Sequence, residues 1–321
     1  MAGALNIVLV AEEAAGMQAL RLLAGSQHRA VAVLTGSGTG MTQGATVAGL
    51  AQRLGFPVWP LRQVREKSFA ERIRDEQVDL LLNVHSLCLL PAELVAAPRI
   101  GSFNLHPGPL PAYAGLNAPS WAIYHGERSH GVTVHWMDRG IDTGPIAYEQ
   151  EIEIAEHDTG FSLSAKCVRA GIPLLEALLH AAAVGAIPRR PQSAQARHYY
   201  GREVPQKGRL DWTLPAARVV DFVRACDYLP FQSPWGRPRA RVGGAEISIL
   251  KAIRTSQPTD AVPGTVGQLV GDNAMVAAAD EWVLVRRVQC GQSTLPAAAV
   301  LRPGQRFDAP LPIEESSSAA R

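Results

Sequence analysis

Short β-branched runs alternating with helix-length amphipathic stretches constrain this chain more than any other feature. "LNIVLV" and "AVAVLTG" read as strands, and "AAGMQALRLLAG" between them carries apolar residues at helical spacing before closing on Gly25. Strand, helix and strand in that order require a crossover connection, which pairs the two strands in parallel. The alternation continues with a helix at "ATVAGLAQRLG" and with "VDLLLNV", an unbroken apolar run of the kind needed by a strand buried on both faces. "GSFNLH", "GVTVHWM" and "PIAYEQEIEI" extend the sheet, and "FSLSAKCVRAGIPLLEALLHAAAVG" reads as a long helix closing it. Residues 1–186 are therefore predicted to be an α/β, Rossmann-like domain with a mostly parallel sheet, in which ligands gather at the carboxyl ends of the strands.

Proline, glutamine and arginine crowd "AIPRRPQSAQARHYYGREVPQKG", which predicts a linker over residues 187–206. Beyond it "VVDFVRACDYL" forms one helical pattern. "AEISILKAI", "GTVGQLVG", "NAMVAAAD" and "EWVLVRRVQ" are short strands separated by glycine and aspartate turns. Residues 207–312 are thus expected to form a small OB-like β-barrel, and residues 313–321 a disordered tail.

At 321 residues the chain exceeds one typical domain, and 47% hydrophobic with 19% charged residues is the balance of a globular protein. A net charge of +2 exerts no strong overall pull toward nucleic acid or membrane. No apolar run in the linear sequence reaches the roughly 20 residues of a bilayer crossing, and the first apolar run lacks a basic leader, so no membrane association is expected. Cys88, Cys167, Cys226 and Cys290 form no C-x-x-C pair, which argues against a zinc knuckle and a disulfide framework and for a reducing, cytoplasmic setting.

Three stretches invite chemistry. The glycine-rich "TGSGTGMTQG" (Thr35 to Gly44) suggests dinucleotide binding, but it follows the second strand and lacks an acidic residue about 20 positions on, so a surface loop fits it better. His125, His130 and His135 are spaced by five, yet they fall at a helix end, in a turn and on a strand, with no fourth ligand nearby; no metal is expected. Asn104 and His106 differ, because residues two apart on a strand share a face and Pro107, Pro109 and Pro111 stiffen the adjoining turn. Asp142, between Gly140 and Gly144, joins them if the strand from Gly131 lies beside the one ending at His106. Amide, imidazole and carboxylate together suit acyl transfer to an amine. On spacing alone, a loop-bonding Asn104, a helix-capping His106 and a plain Gly-Asp turn serve equally well.

"SFNLHPGPLPAYAGLNAPSWAIYHGERSHGVTVHWMDRGIDTGPI" resembles the core segment of the folate-dependent formyltransferases: N-x-H, a leucine-proline loop, H-G-V-T-x-H and D-x-G-x-I in order. The likeness reaches back weakly to residue 5 and forward into "PGTVGQLVGDNAMVAAADEWVLVRRVQCGQ", which is similar to the small barrel of methionyl-tRNA formyltransferase. The resemblance implies Asn104, His106 and Asp142 as the catalytic trio and 10-formyltetrahydrofolate as donor. It also implies a pterin slot at Leu87, Cys88, Leu89 and Leu90, with Asp142 nearby. Asn104 and His106 would hold the developing oxyanion, and Asp142 would fix the imidazole and help move a proton. Pro109, Tyr113 and Gly115 in the turn "PGPLPAYAG", with Asn117 just beyond it, are expected to contact the acceptor.

The stretch from Leu34 to Gln52 contains no lysine or arginine, whereas a phosphate-contacting loop requires them. Residues 189–254, however, carry 13 basic against 5 acidic residues, a surface suited to RNA, a sugar-nucleotide pyrophosphate or an acidic carrier protein, or simply a solvated face. "AGLNAPSWAIYHGERSHGVTVHWM" is more similar to amino-sugar and peptide-assembly-line formyltransferases. The expected acceptor is a small or carrier-bound amine, with methionyl-tRNA as the alternative. A formyltetrahydrofolate hydrolase would share the trio, but its regulatory domain has no room before Leu5. A non-catalytic folate-binding protein is the alternative of another class. The oligomeric state is left open.

Overall fold

The computed structural model describes residues 3–36 and 46–308. The predicted tail and all of the glycine-rich stretch beyond Gly36 up to Gly44 lie outside the described residues. Two compact units divide the chain. One comprises residues up to Ala118, Ser129–Glu153 and Ser164–Gly201, and the other Pro119–Arg128, Ile154–Leu163 and the chain from Arg202.

In the first unit the β-α-β alternation forms β1 (Asn6–Ala11), α1 (Glu13–Ala24), β2 (Arg29–Thr35), α2 (Val47–Arg53), β3 (Val58–Pro60), α3 (Phe69–Asp75), β4 (Leu80–Val84), α4 (Ala92–Val95) and β5 (Gly101–His106), of which β3, α3 and α4 were not expected from the sequence. The hydroxyl of Thr46 accepts the Gly49 N–H at 3.1 Å and so caps α2. The five strands are parallel in the order β3-β2-β1-β4-β5, and every residue of β4 is buried, as its apolar run predicted. The strand order reverses between β1 and β4, the position beyond whose carboxyl ends ligands of such sheets collect. After the two-residue β6 (Ala114–Gly115), helix α5 (Ala118–His125) leads to β7 (Ser129–Trp136) and β8 (Ile146–Glu153), which add antiparallel beyond β5.

Helix α6 (Gly160–Val184) comes next, and by length and composition it is apolar enough to cross a bilayer, contrary to the expectation that no stretch is. Its charged Arg169 and Glu176 turn outward, and Gly171 lets the helix lie directly on the sheet. A Cβ at Gly171 would come within 2.9 Å of the Leu105 side chain. Such an amphipathic core helix supports β5 from behind.

Residues 187–201, expected as a linker, are instead stitched into the first unit. Arg190 and Ile146 exchange backbone hydrogen bonds, and β9 (Tyr199–Tyr200) pairs in parallel with β6. A proline- and arginine-rich composition does not reveal such main-chain pairing, because the bonds form with residues distant in sequence.

The second unit holds α7 (Ala216–Ala225), then β10 (Arg239–Val242), β11 (Ala245–Pro258), β12 (Val266–Val270), β13 (Asn273–Ala277), β14 (Glu281–Cys290), β15 (Ser293–Pro296) and α8 (Ala297–Val300). The strands are antiparallel in the order β10-β11-β14-β13-β12, with β15 on β14. Bridges from Phe307 to Val242 and from Arg306 to Thr265 tie the two outer strands together, closing the small barrel expected here. Most of α5 also belongs to this unit. Trp121 meets Trp235 edge-on at 4.7 Å, and Tyr124 meets Phe222 at 5.6 Å. Packing of those half-buried rings on Trp235 and Phe222 explains why a segment so early in the chain is drawn into the later unit.

Candidate active site

Strand register gathers polar residues at the carboxyl ends of the sheet. Val10 lies beside Asn83, Asn83 beside Asn104, and Asn104 beside His135. One step along the same face, His106 lies opposite Thr133. The antiparallel pairing of β5 with β7 is the condition on which Asp142 was expected to approach the N-x-H pair, and it does.

Asp142 sits between β7 and β8 with left-handed backbone, φ 54°. Its Oδ2 accepts the Gly115 N–H at 2.8 Å and lies 3.5 Å from Nδ1 of His106. Its Oδ1 accepts an Asn104 N–H at 3.3 Å and lies 3.3 Å from Nε2 of His135. The carboxylate can only accept, so the amino end of Asn104 must face it, and Asn104 Oδ1 then accepts from Nδ2 of Asn83 at 3.1 Å.

Each imidazole is fixed by a carbonyl. Nδ1 of His135 donates to the Trp136 carbonyl at 2.7 Å, leaving Nε2 to accept the other Asn104 N–H at 3.1 Å. Nε2 of His106 donates to the Tyr113 carbonyl at 2.6 Å. That donor, expected to meet an oxyanion, is already engaged, which leaves Nδ1, facing Asp142, as the nitrogen of His106 with capacity to spare. Thr133 donates to the Gly108 carbonyl at 2.8 Å and accepts the Leu110 N–H, which holds the turn after His106 in place.

Burial pushes His106 below the ordinary histidine value, outweighing the opposing pull of Asp142 and the Tyr113 carbonyl. For Asp142, burial opposes the charge, but His106 and the Gly115 N–H overcome it and hold the carboxyl well below the usual carboxylate range. The pair is therefore a neutral imidazole beside an anionic carboxylate, two sites between which one proton can be shared.

The stretch after α6 pins this turn from outside. Nε2 of Gln192 donates to the carbonyls of Asp142 and Gly144 at 3.0 and 2.6 Å. Arg197 donates to the carbonyls of Ile141 and Asp142 at 2.8 and 3.3 Å. Gly115 is equally constrained: with φ 95°, any Cβ there would run into the Tyr200 carbonyl.

The expected donor loop leaves Leu87 and Leu89 unusually open, at 81% and 70% exposure. Between them, the Cys88 N–H donates to Ser86 Oγ, and burial raises the Cys88 thiol, which suits packing and not nucleophilic attack. Leu90 packs against the buried core. Among the expected acceptor contacts, Pro109 and Asn117 are half-buried and Gly115 binds Asp142. The Tyr113 ring is buried, stacked on Tyr200 at 5.3 Å and against His130 at 5.4 Å. Tyr113 therefore contributes its carbonyl to His106 and not an open phenol surface.

Sequence reasoning missed His135, Asn83, Gln192 and Arg197. It also placed His130 in a turn, whereas β7 begins at Ser129 and His130 Nε2 lies 2.9 Å from the Pro107 carbonyl. The signal for His135 was available in strand parity, since it is two residues past Thr133 on the strand paired with β5. His125 belongs to the other unit, stacked on Trp121. Among the described residues no group of His, Cys, Asp or Glu is arranged to hold a metal ion.

The family model described as formyl transferase matches residues 6–177, and the formyl transferase C-terminal domain matches residues 204–303. Solved structures share the fold. WlaRD, a sugar 3N-formyl transferase crystallised in the presence of dTDP and 5-N-formyl-THF, superposes with a TM-score of 0.70 at 17% identity, covering 88% of this chain and 97% of that one. The N-formyltransferase from Helicobacter canadensis, in complex with folinic acid and dTDP-3-aminofucose, gives 0.67 at 16% identity, with 88% and 99% covered. HypX from Aquifex aeolicus, in complex with tetrahydrofolic acid, gives 0.62 at 19% identity over 93% of this chain but 47% of its own. The first match runs through the strand that carries Asn104 and His106 and on past Asp142, so it covers the working half of the molecule, and the chain belongs to the formyl transferase family.

Proposed function

We propose that this enzyme transfers the formyl group of 10-formyltetrahydrofolate to the primary amine of a small acceptor, an amino sugar on a nucleotide being the foremost candidate. The observation that carries the reading is the convergence of Asn104, His106 and His135 on the Asp142 carboxylate. Leu87 and Leu89 fit the donor: two exposed apolar side chains beside this network suit a flat pterin ring and have no other evident use.

Asn104 is half-buried, so its amide can reach a bound formyl group. As the acceptor nitrogen bonds to the formyl carbon, the carbonyl π electrons move to oxygen, and Asn104 Nδ2 gives up its longer bond to Asp142 Oδ1, at 3.3 Å, to donate that N–H to the oxyanion. The Asp142 carboxylate and Nδ1 of His106 take the proton shed by the attacking nitrogen. Returned to N10 of the folate, that proton lets the carbon–nitrogen bond break and tetrahydrofolate leave. Gly115 and Tyr113 keep the two proton-holding groups in place through the whole cycle.

The nucleotide-linked acceptor draws support from the ligands crystallised with WlaRD and the Helicobacter canadensis enzyme. Part of the basic excess in residues 189–254 is offset, since Arg190, Arg224, Lys251 and Arg254 pair with Glu149, Asp221, Asp227 and Glu281, which reduces the charge offered to a tRNA acceptor. The test is a parallel incubation of the protein and 10-formyltetrahydrofolate with dTDP-amino sugars, carrier-bound amino acids and charged initiator tRNA. Mass spectrometry of each acceptor is the readout. Formylation of an amino sugar is expected, and formylation of the tRNA alone overturns the reading.

A further inference from the structure

We infer that Asn83 is a positioning residue of the formyl transfer, setting which end of the Asn104 amide faces the reacting group. The inference rests on the role proposed above for Asn104. Asn83 is buried on β4, in register with Asn104, and its Nδ2 donates to Asn104 Oδ1 at 3.1 Å and more weakly to the Ser86 carbonyl at 3.4 Å. Its own Oδ1 is buried without a partner. A buried acceptor left unpaired is costly, and turning the amide over would only aim that oxygen at two other acceptors, Asn104 Oδ1 and the Ser86 carbonyl. Asn83 is thus held with its amino end on Asn104 at the expense of its own carbonyl.

Asn104 needs this second hold because its first is used during turnover. At rest the Asp142 carboxylate and the lone pair of His135 Nε2 fix its amino end. When Asp142 shares the proton shed by the acceptor, Oδ1 stops repelling a carbonyl, and the Asn104 amide loses its main reason not to turn over. A turned amide presents oxygen to the developing oxyanion, the wrong sign of dipole. The Asn83 N–H on Asn104 Oδ1 is untouched by proton transfer and keeps the donor end outward throughout.

The test uses Asn83→Asp, which keeps shape and places an acceptor opposite Asn104 Oδ1. Turnover should fall by at least about tenfold, a part of the hundredfold to thousandfold attached to an oxyanion donor, while folinic acid binds as tightly as before. In an Asn104→Ala background the same change should cost nothing further, because its effect runs through Asn104. An equal loss in both backgrounds overturns the inference. Histidine nitrogen NMR reads the amide directly: His135 Nε2 accepts from Asn104 in the parent, and a turned amide offers it oxygen in place of that N–H, so its nitrogen shift should move in Asn83→Asp. An unmoved shift also overturns the inference, and this readout stands even if no amine offered is formylated. Should Asn83→Asp not fold, Asn83→Leu removes the same N–H and enters the same two-background comparison.

Discussion

Nδ1 of His106 stands 3.5 Å from Oδ2 of Asp142, while the opposite nitrogen of the ring is bound to the Tyr113 carbonyl. Two residues 36 positions apart in the sequence thus share one proton-holding site, with the ring unable to rotate away. The chemistry proposed for it comes from two downward shifts of different cause, His106 pushed down by burial and Asp142 held down by its histidine and backbone partners.

Replacing Asp142 by asparagine should therefore stop proton handling without removing the fold. An amide keeps the volume, but one of its ends must oppose either the Gly115 N–H or the Asn104 amino group. Turnover should fall by about a hundredfold or more, the usual range for a proton-transfer group. Folinic acid titration should show donor binding retained, and a variant with near-normal turnover would remove Asp142 from the mechanism.

Asn104→Ala should cost rate and little stability. Loss of one oxyanion donor is worth on the order of a hundredfold to a thousandfold, whereas the half-buried amide leaves no large cavity behind. Steady-state turnover beside a melting curve separates the two effects.

Gln192 and Arg197 act at a distance from the chemistry. Gln192→Ala deletes hydrogen bonds to the carbonyls of Asp142 and Gly144, and Arg197→Ala those to Ile141 and Asp142. Each lost bond is worth about 1 kcal/mol. The turn should loosen locally, and the Gly115 amide proton, which reports the Asp142 contact, should exchange faster in both variants. Unchanged exchange at Gly115 would show that the turn holds itself.

Stability should decline on mild acidification. Burial pushes His85 and His130 down to about 4, with His106 adding to the shift of each, and His106 itself is lowered. Below the ordinary histidine value of about 6.5, the unfolded chain takes up protons that the folded chain refuses. Folding free energy should therefore fall between about pH 6.5 and 4, by up to about 1.4 kcal/mol per pH unit for each such histidine. Asp142 adds its loss only at lower pH, as acid approaches the ordinary carboxylate value. Urea unfolding across this range checks the slope, and His130→Gln should flatten it.

How far sequence reached depended on whether a feature is written in consecutive residues. Apolar runs and helical spacing announced the parallel strands, the long helix and the barrel strands, because burial on one or both faces dictates residue type locally. Asn104 and His106 shared a face by parity alone, and the ordered segment up to Ile146 carried the family. Features resting on pairing between distant segments were not written that way. The ring of His135 entered the site through strand register. Residues 190–200 became part of its wall through backbone hydrogen bonds that composition does not encode, and helix α5 joined the later unit by packing its aromatic rings on Trp235 and Phe222. Sequence by itself determined most of the strands, their alternation with helices and, through the family resemblance, the three groups proposed to do the chemistry. Tertiary structure alone decided which atom of each group is free to act, because a side chain's remaining hydrogen-bonding capacity depends on the neighbours that folding brings to it.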